Sequence, residues 1–195
     1  MTTAVSPGFT DDERDLVADL YWHAFRRKLR PAFRDDATGR AVVATTLRPD
    51  RALVARTDGR VSGVCGYHRG GHGMADVTWA GLRRHVGPLA ALRATLVLLP
   101  LRRDERPGAL VLDGICVDAD LRGHGIGTAL LDAAGSHARA HGLDAVRLTV
   151  VDANTRARAL YDRVGFRPVG HDSLGPLGPV YGVDRVTTLE RRTTP

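Results

Sequence analysis

Apolar residues recur along this chain with two periods, and the switches between them mark out its elements. Over residues 11–30, Leu16, Leu20 and Ala24 fall on one face by 3.6-residue spacing, with Val17 and Tyr21 beside them, which predicts a first helix. Thr10 is placed to cap it, and Asp11, Asp12 and Glu13 suit the positive end of its dipole. A second helix is predicted over 37–47, against the cost of Gly39. Residues 52–56 and 60–67 read as strands joined at Asp58-Gly59, a pair that accepts the positive φ angles of a tight hairpin. The apolar run 110–117 reads as a buried strand.

The pattern is clearest beyond residue 120. Leu130, Leu131, Ala134 and Ala138 give a helix over 128–141 one apolar face, and Gly142 ends it. Residues 145–151 alternate as a strand, with Val146, Leu148 and Val150 on one face. Asn154 is an N-cap residue for a short helix whose inner face is Ala157, Leu160, Tyr161 and Val164. Gly165 closes that helix, Phe166 starts the next strand, and 183–189 supplies the last. Strand, helix, strand, helix, strand at this spacing predicts a mixed α/β sheet with one parallel crossover.

A chain of 195 residues suits one domain spanning residues 1–195. Residues 1–15 lack the basic-then-apolar pattern of a secretory signal. The longest apolar run, 96–101, is too short to span a bilayer and contains Pro100, so the cytoplasm and no membrane partner are expected. Cys65 and Cys116 form no C-x-x-C pair and read as reduced, buried residues; no His/Cys spacing suggests a metal. The net charge of +6 comes from arginines spread along the chain, and only 5% of residues are aromatic, which argues against nucleic acid as the partner.

The run Arg122, Gly123, His124, Gly125, Ile126, Gly127 and Thr128 lies between a strand and a helix, where glycines and free helix N–H groups suit a pyrophosphate. It is neither a P-loop, since Lys28 is the only lysine, nor a G-x-G-x-x-G fingerprint. R-G-x-G-I-G resembles the acetyl-CoA loop of the GNAT superfamily of N-acetyltransferases. Asn154, Ala157, Leu160, Tyr161, Gly165 and Phe166 resemble that family's next motif, in the expected order. The resemblance is specific over 109–168 and looser before residue 70.

The resemblance implies a GNAT-like mixed, mostly antiparallel sheet flanked by helices, with the parallel β-α-β crossover at the acetyl-CoA site. It implies acetyl-CoA as cosubstrate, pantetheine paired with the main chain at Ile115, Cys116 and Val117, and pyrophosphate on the backbone of 122–128. Tyr161 matches the usual general acid, its alternative being packing on a helix face. Asn154 is either the cap alone or also a cofactor contact. Asp113, four residues before Val117, is the candidate base, or else a solvated or arginine-paired strand residue; His68 and His72 are further proton acceptors. Direct transfer is expected rather than an acyl-enzyme at Cys116. The implied acceptor is a primary amine, on a small molecule or a protein, and a homodimer is compatible with such a domain.

Residues 69–107 depart from a compact GNAT pattern. A Gly/His-rich stretch, 69–73, precedes a helical region where Leu89, Leu92, Leu96 and Leu99 recur at helical spacing, with Arg102 and Arg103 at its end. A helical insertion over 74–103 is therefore expected, as extra packing or as a lid on the acceptor pocket. Two other classes stay open: a noncatalytic acyl-CoA-binding regulatory module, and a basic nucleic-acid-binding protein favoured only by the pI.

Overall fold

The computed structural model describes residues 1–99, 105–173, 175, 178–183 and 185–193. Arg102 and Arg103 lie outside the described residues. A seven-stranded sheet is built from β1 (Thr3–Pro7), β2 (Ala52–Thr57), β3 (Arg60–Tyr67), β4 (Ala109–Val117), β5 (Ala145–Val151), β6 (Arg167–Ser173) and β7 (Arg185–Arg192). The spatial order is β1-β2-β3-β4-β5-β7-β6, and every neighbouring pair is antiparallel except β4 with β5. This is the expected mixed, mostly antiparallel α/β fold with one parallel crossover.

The β2–β3 hairpin turns at Asp58 and Gly59, both at positive φ (48° and 80°). β1 had no clear signal in the sequence, because its five residues form an edge strand with only Thr3 and Val5 partly covered and with Pro7 at its end. Helices α1 (Arg14–Leu29) and α2 (Asp36–Thr46) cover one face of the sheet. Helix α5 (Ile126–Ala140) covers the other, packing Ile126, Leu130, Leu131, Ala134 and Ala138 on a second apolar cluster.

Helix α1 differs from the expectation at its start and in its face. Thr10 does not cap it. Instead the Glu13 carboxylate accepts the Thr10 N–H (3.0 Å) and a two-pronged bond from Arg56, which delays the helix to Arg14. The buried face is Val17, Ala18, Tyr21 and Trp22, whereas Leu16 is 43% exposed and Ala24 is exposed. The two aromatic side chains have more apolar surface to bury, and they turn the helix by about one position. Trp22 reaches α2, where it occupies the space that a Cβ on Gly39 would need.

The long connection forms two helices, α3 (Trp79–Val86) and α4 (Pro88–Leu98), broken at Gly87 with φ 76°. Their inward residues are Leu82, Ala91 and Ala94. The row Leu89, Leu92, Leu96 and Leu99 faces outward. Helix α6 (Thr155–Arg163) and the short α7 (Gly178–Tyr181) complete the described helices of α type, and the Tyr181 hydroxyl donates to the Val97 carbonyl on α4.

Candidate active site

The parallel pair that closes the crossover is short. β4 and β5 are in register only at Ala109 with Ala145, Leu110 with Val146 and Val111 with Arg147. Beyond Val111 the two strands run on without pairing to one another. Ile115, Cys116 and Val117 pair with Cys65, Val64 and Gly63 of β3, so their other edge faces the gap. The register of β3 on β4 skips Asp113, from Gly66 with Gly114 to Tyr67 with Leu112. Asp113 is thus the extra residue of a bulge, a device that bends a strand and re-aims a side chain.

At the end of β4 the chain makes a turn over Ala119–Leu121, held by the Asp118 carboxylate on the Asp120 N–H (3.0 Å), and then enters the glycine run. Gly123 and Gly125 take φ of 90° and 81°, and a Cβ on either would meet nothing within 4 Å. Helix α5 starts at Ile126, two residues earlier than expected, with Gly125 as its cap. The N–H groups of Gly125, Ile126, Gly127 and Thr128 have no carbonyl one turn back within the helix to receive them. Open space faced by such donors suits a pyrophosphate.

The side chains in that run have different tasks. Ile126 is buried in the core beneath α5 and offers only its backbone. A Cβ on Gly127 would come within 3.0 Å of Leu160 and 4.0 Å of Val117, so this glycine lets α6 approach the end of β4. The Arg122 Nε donates to the Val117 carbonyl (3.4 Å), and His124 Nδ1 lies 3.3 Å from the Leu121 carbonyl.

Helix α6 borders the gap. Asn154 Oδ1 accepts the Ala157 N–H (3.1 Å) as an N-cap. The face expected to be buried, Ala157, Leu160, Tyr161 and Val164, is only half-covered, as suits a helix beside a cleft. The Tyr161 ring packs edge-on against Phe166, with centroids 5.8 Å apart.

Asp113 lies in a pocket made by the chain that leaves β3. Its Oδ2 accepts the Ala75 N–H at 3.3 Å, and its Oδ1 lies 3.4 Å from His68 Nε2. Both side chains are largely buried, and His68 Nε2 has no hydrogen-bond partner of normal geometry. Gly73 and Gly66 make room: a Cβ on Gly73 would crowd the His68 ring (2.8 Å), and one on Gly66 would crowd Met74 (2.8 Å). His72 is diverted to Asp76 (2.7 Å) at the surface. The structure therefore brings His68 to Asp113 and separates His72 from it. Among residues the sequence did not single out, Phe25 of α1 lies over Gly114, where its ring fills the space of a Cβ.

The thiols are poor nucleophiles. Burial pushes Cys65 up to about 12 and raises Cys116 well above its ordinary value, so neither supplies thiolate near neutral pH. Among the described residues no cluster of three His, Cys, Asp or Glu side chains is placed to hold a metal ion.

A parted pair of parallel strands, a glycine-lined helix start and a tyrosine on the next helix thus lie along one stretch of chain, residues 109–166. The acetyltransferase (GNAT) family model matches residues 14–166. The chain belongs to the GNAT acetyltransferase family. A mycothiol acetyltransferase of Beutenbergia cavernae is 51% identical over 53 residues, which is 27% of this chain and 18% of that protein. The chain thus matches less than a fifth of that relative's length. An N-acetyltransferase from Staphylococcus aureus Mu50 superposes with a TM-score of 0.69 at 18% identity, covering 96% of this chain and 100% of the other. An acetyltransferase from Bacillus anthracis str. Ames, solved in complex with acetyl coenzyme A, gives a TM-score of 0.50 at 16% identity over 72% of this chain and 61% of that one. At these identities the structural likenesses speak to the fold, while the family match carries acetyl-CoA as the cosubstrate.

Proposed function

We propose that the chain is an enzyme moving an acetyl group from acetyl-CoA directly to a primary amine, on a small molecule or a protein, in the cytoplasm. The observation that carries this reading is the parting of β4 from β5 after Val111, on the strand that leads into the glycine run at Gly123 and Gly125. In this reading the backbone at 122–128 holds the pyrophosphate, and the free edge of β4 at Ile115, Cys116 and Val117 pairs with pantetheine. Asn154, with its oxygen already capping α6, serves the site through the position of that helix.

The chemistry needs a neutral amine, donors for the developing oxyanion and a proton for the departing thiolate. Asp113 sits two residues past the point where the strands part and is the base that takes the ammonium proton, with His68 beside it to share the charge. The amine nitrogen bonds to the acetyl carbonyl carbon, the carbon–sulfur bond breaks, Tyr161 gives its proton to the sulfur, and the proton that the nitrogen sheds on becoming an amide restores the tyrosine. The raised pKa of Cys116 supports this direct route over an acyl-cysteine.

Free-thiol release from acetyl-CoA across a panel of primary amines tests the proposal. Tyr161→Phe should lower turnover by roughly one to three orders of magnitude with acetyl-CoA affinity little changed. Asp113→Asn should lower it comparably, and the loss should shrink as pH rises and more of the amine is already neutral. Tight acetyl-CoA binding without thiol release for any amine would replace this reading with a noncatalytic acyl-CoA-binding module.

A further inference from the structure

The outward row on α4 is the least explained surface of the molecule. Leu89, Leu92, Leu96 and Leu99 follow one another at steps of three and four residues and are 83%, 49%, 62% and 54% exposed. Such a sequence makes one continuous stripe along a helix. The opposite face of α4 is anchored, with Ala91 and Ala94 fully buried and Arg93 Nη2 donating to the Pro31 carbonyl (2.7 Å). Trp79 on neighbouring α3 is a further large apolar side chain left 44% exposed.

Charge identifies what fits this stripe. The arginines of the chain are spread widely, but the acids are not: residues 77–103 contain five arginines and no Asp or Glu. Those arginines account for five of the six net positive charges of the protein. Within the described part of the segment, Arg83 and Arg84 on α3 are exposed and have no ion-pair partner among the described residues. Arg26 and Arg30, by contrast, are answered by Asp36.

We propose that α3 and α4 form a peripheral docking surface for an anionic lipid bilayer, with the leucine stripe entering the headgroup boundary and the arginines meeting lipid phosphates. An apolar helical face with exposed arginines on the adjoining helix suits the boundary between headgroups and acyl chains of an anionic membrane. The helix is too short to span, so this is attachment at the surface. A second copy is the poorer occupant. Four leucines fall short of the ~800 Å² per partner buried in a standard interface.

The test uses the full chain, sedimented with vesicles of phosphatidylglycerol and phosphatidylcholine or of phosphatidylcholine alone. The protein should sediment with the anionic vesicles, weakly with the neutral ones, and less as salt rises. Leu92→Glu with Leu96→Glu should reduce binding by about a hundredfold, since each buried leucine contributes about tenfold. Arg83→Gln with Arg84→Gln should reduce it by about fivefold per arginine on the anionic vesicles only. All four positions lie at the surface, so melting temperature and acetyl-CoA binding should stay unchanged. Absence of sedimentation with anionic vesicles, or equal binding by the leucine variant, would overturn the proposal. So would light scattering that shows a dimer split by the leucine variant, which would assign the stripe to a second copy. These readouts need no turnover, so they stand apart from the assay of the acetyl transfer.

Discussion

At the scale of single residues, two glycines that look alike in the sequence do different work. Gly125 takes a φ of 81° with open space where a Cβ would be, and that space faces the start of α5. Gly127 lies inside the helix, close against Leu160. Gly125→Val should therefore weaken acetyl-CoA binding by about tenfold or more, because the side chain enters the phosphate's place and the left-handed backbone resists a branched residue. Arg122→Ala should weaken it by only about threefold, as expected for one exposed charge. Titration calorimetry on folded proteins checks both, and equal affinity in the two variants would remove the phosphate role of the loop. Gly127→Val should act first on stability, by forcing α6 away from α5.

At the scale of elements, α2 sets propensity against packing. Replacing a helical glycine with alanine ordinarily stabilises by about 1 kcal/mol. At Gly39 a Cβ would overlap the Trp22 indole and press on the Phe33 ring, both of which are buried. Overpacking of this kind costs about 1–3 kcal/mol, so Gly39→Ala should destabilise on balance, a sign that urea unfolding can read directly. The same competition explains why α1 buries Val17, Ala18, Tyr21 and Trp22 in place of the Leu16–Leu20–Ala24 row. On α4 the argument runs the other way. Small Ala91 and Ala94 permit close approach to the turn at 30–32, and the larger leucines are left outside.

At the scale of the whole molecule, Arg56 ties three elements together. From β2 it donates to Glu13 at the start of α1 (2.7 and 2.6 Å), to Ser6 Oγ on β1 (2.7 Å) and to the Gly8 carbonyl (3.2 Å). The Arg56 guanidinium holds the Glu13 carboxyl down at about 2, below its ordinary 4.5. A depressed folded-state pKa gives stability that is fully present above the unfolded value and is lost as pH falls through the folded one. The contribution of Glu13 should therefore be complete above about pH 5 and fade between pH 4.5 and 2. Glu13→Gln should melt below the parent at neutral pH, with the gap narrowing over that acid window. A gap that does not change with pH would mean that the bond contributes by its shape and not by its charge.

Much of the candidate site was legible because it rests on local rules. The glycine run, the Asn154 cap and the alternation of 145–151 each state their backbone conformation within a few residues, and α5, α6 and β5 lie where those patterns put them, to within about two residues. The Asp58-Gly59 turn was readable for the same reason. β1 was not, because an edge strand with one partly covered face carries almost no hydrophobic signature. Nor was the partnership of His68 with Asp113, which depends on a one-residue bulge between strands separated by the whole 68–108 connection. By itself the sequence determined the order of elements, the phosphate-type turn and the family, since these follow from spacing along the chain. Only the tertiary structure decided which face of α1 and α4 turns inward, which histidine meets Asp113 and where β4 leaves β5. Those outcomes depend on competition between side chains distant in sequence for the same buried volume, and no local pattern records who wins it.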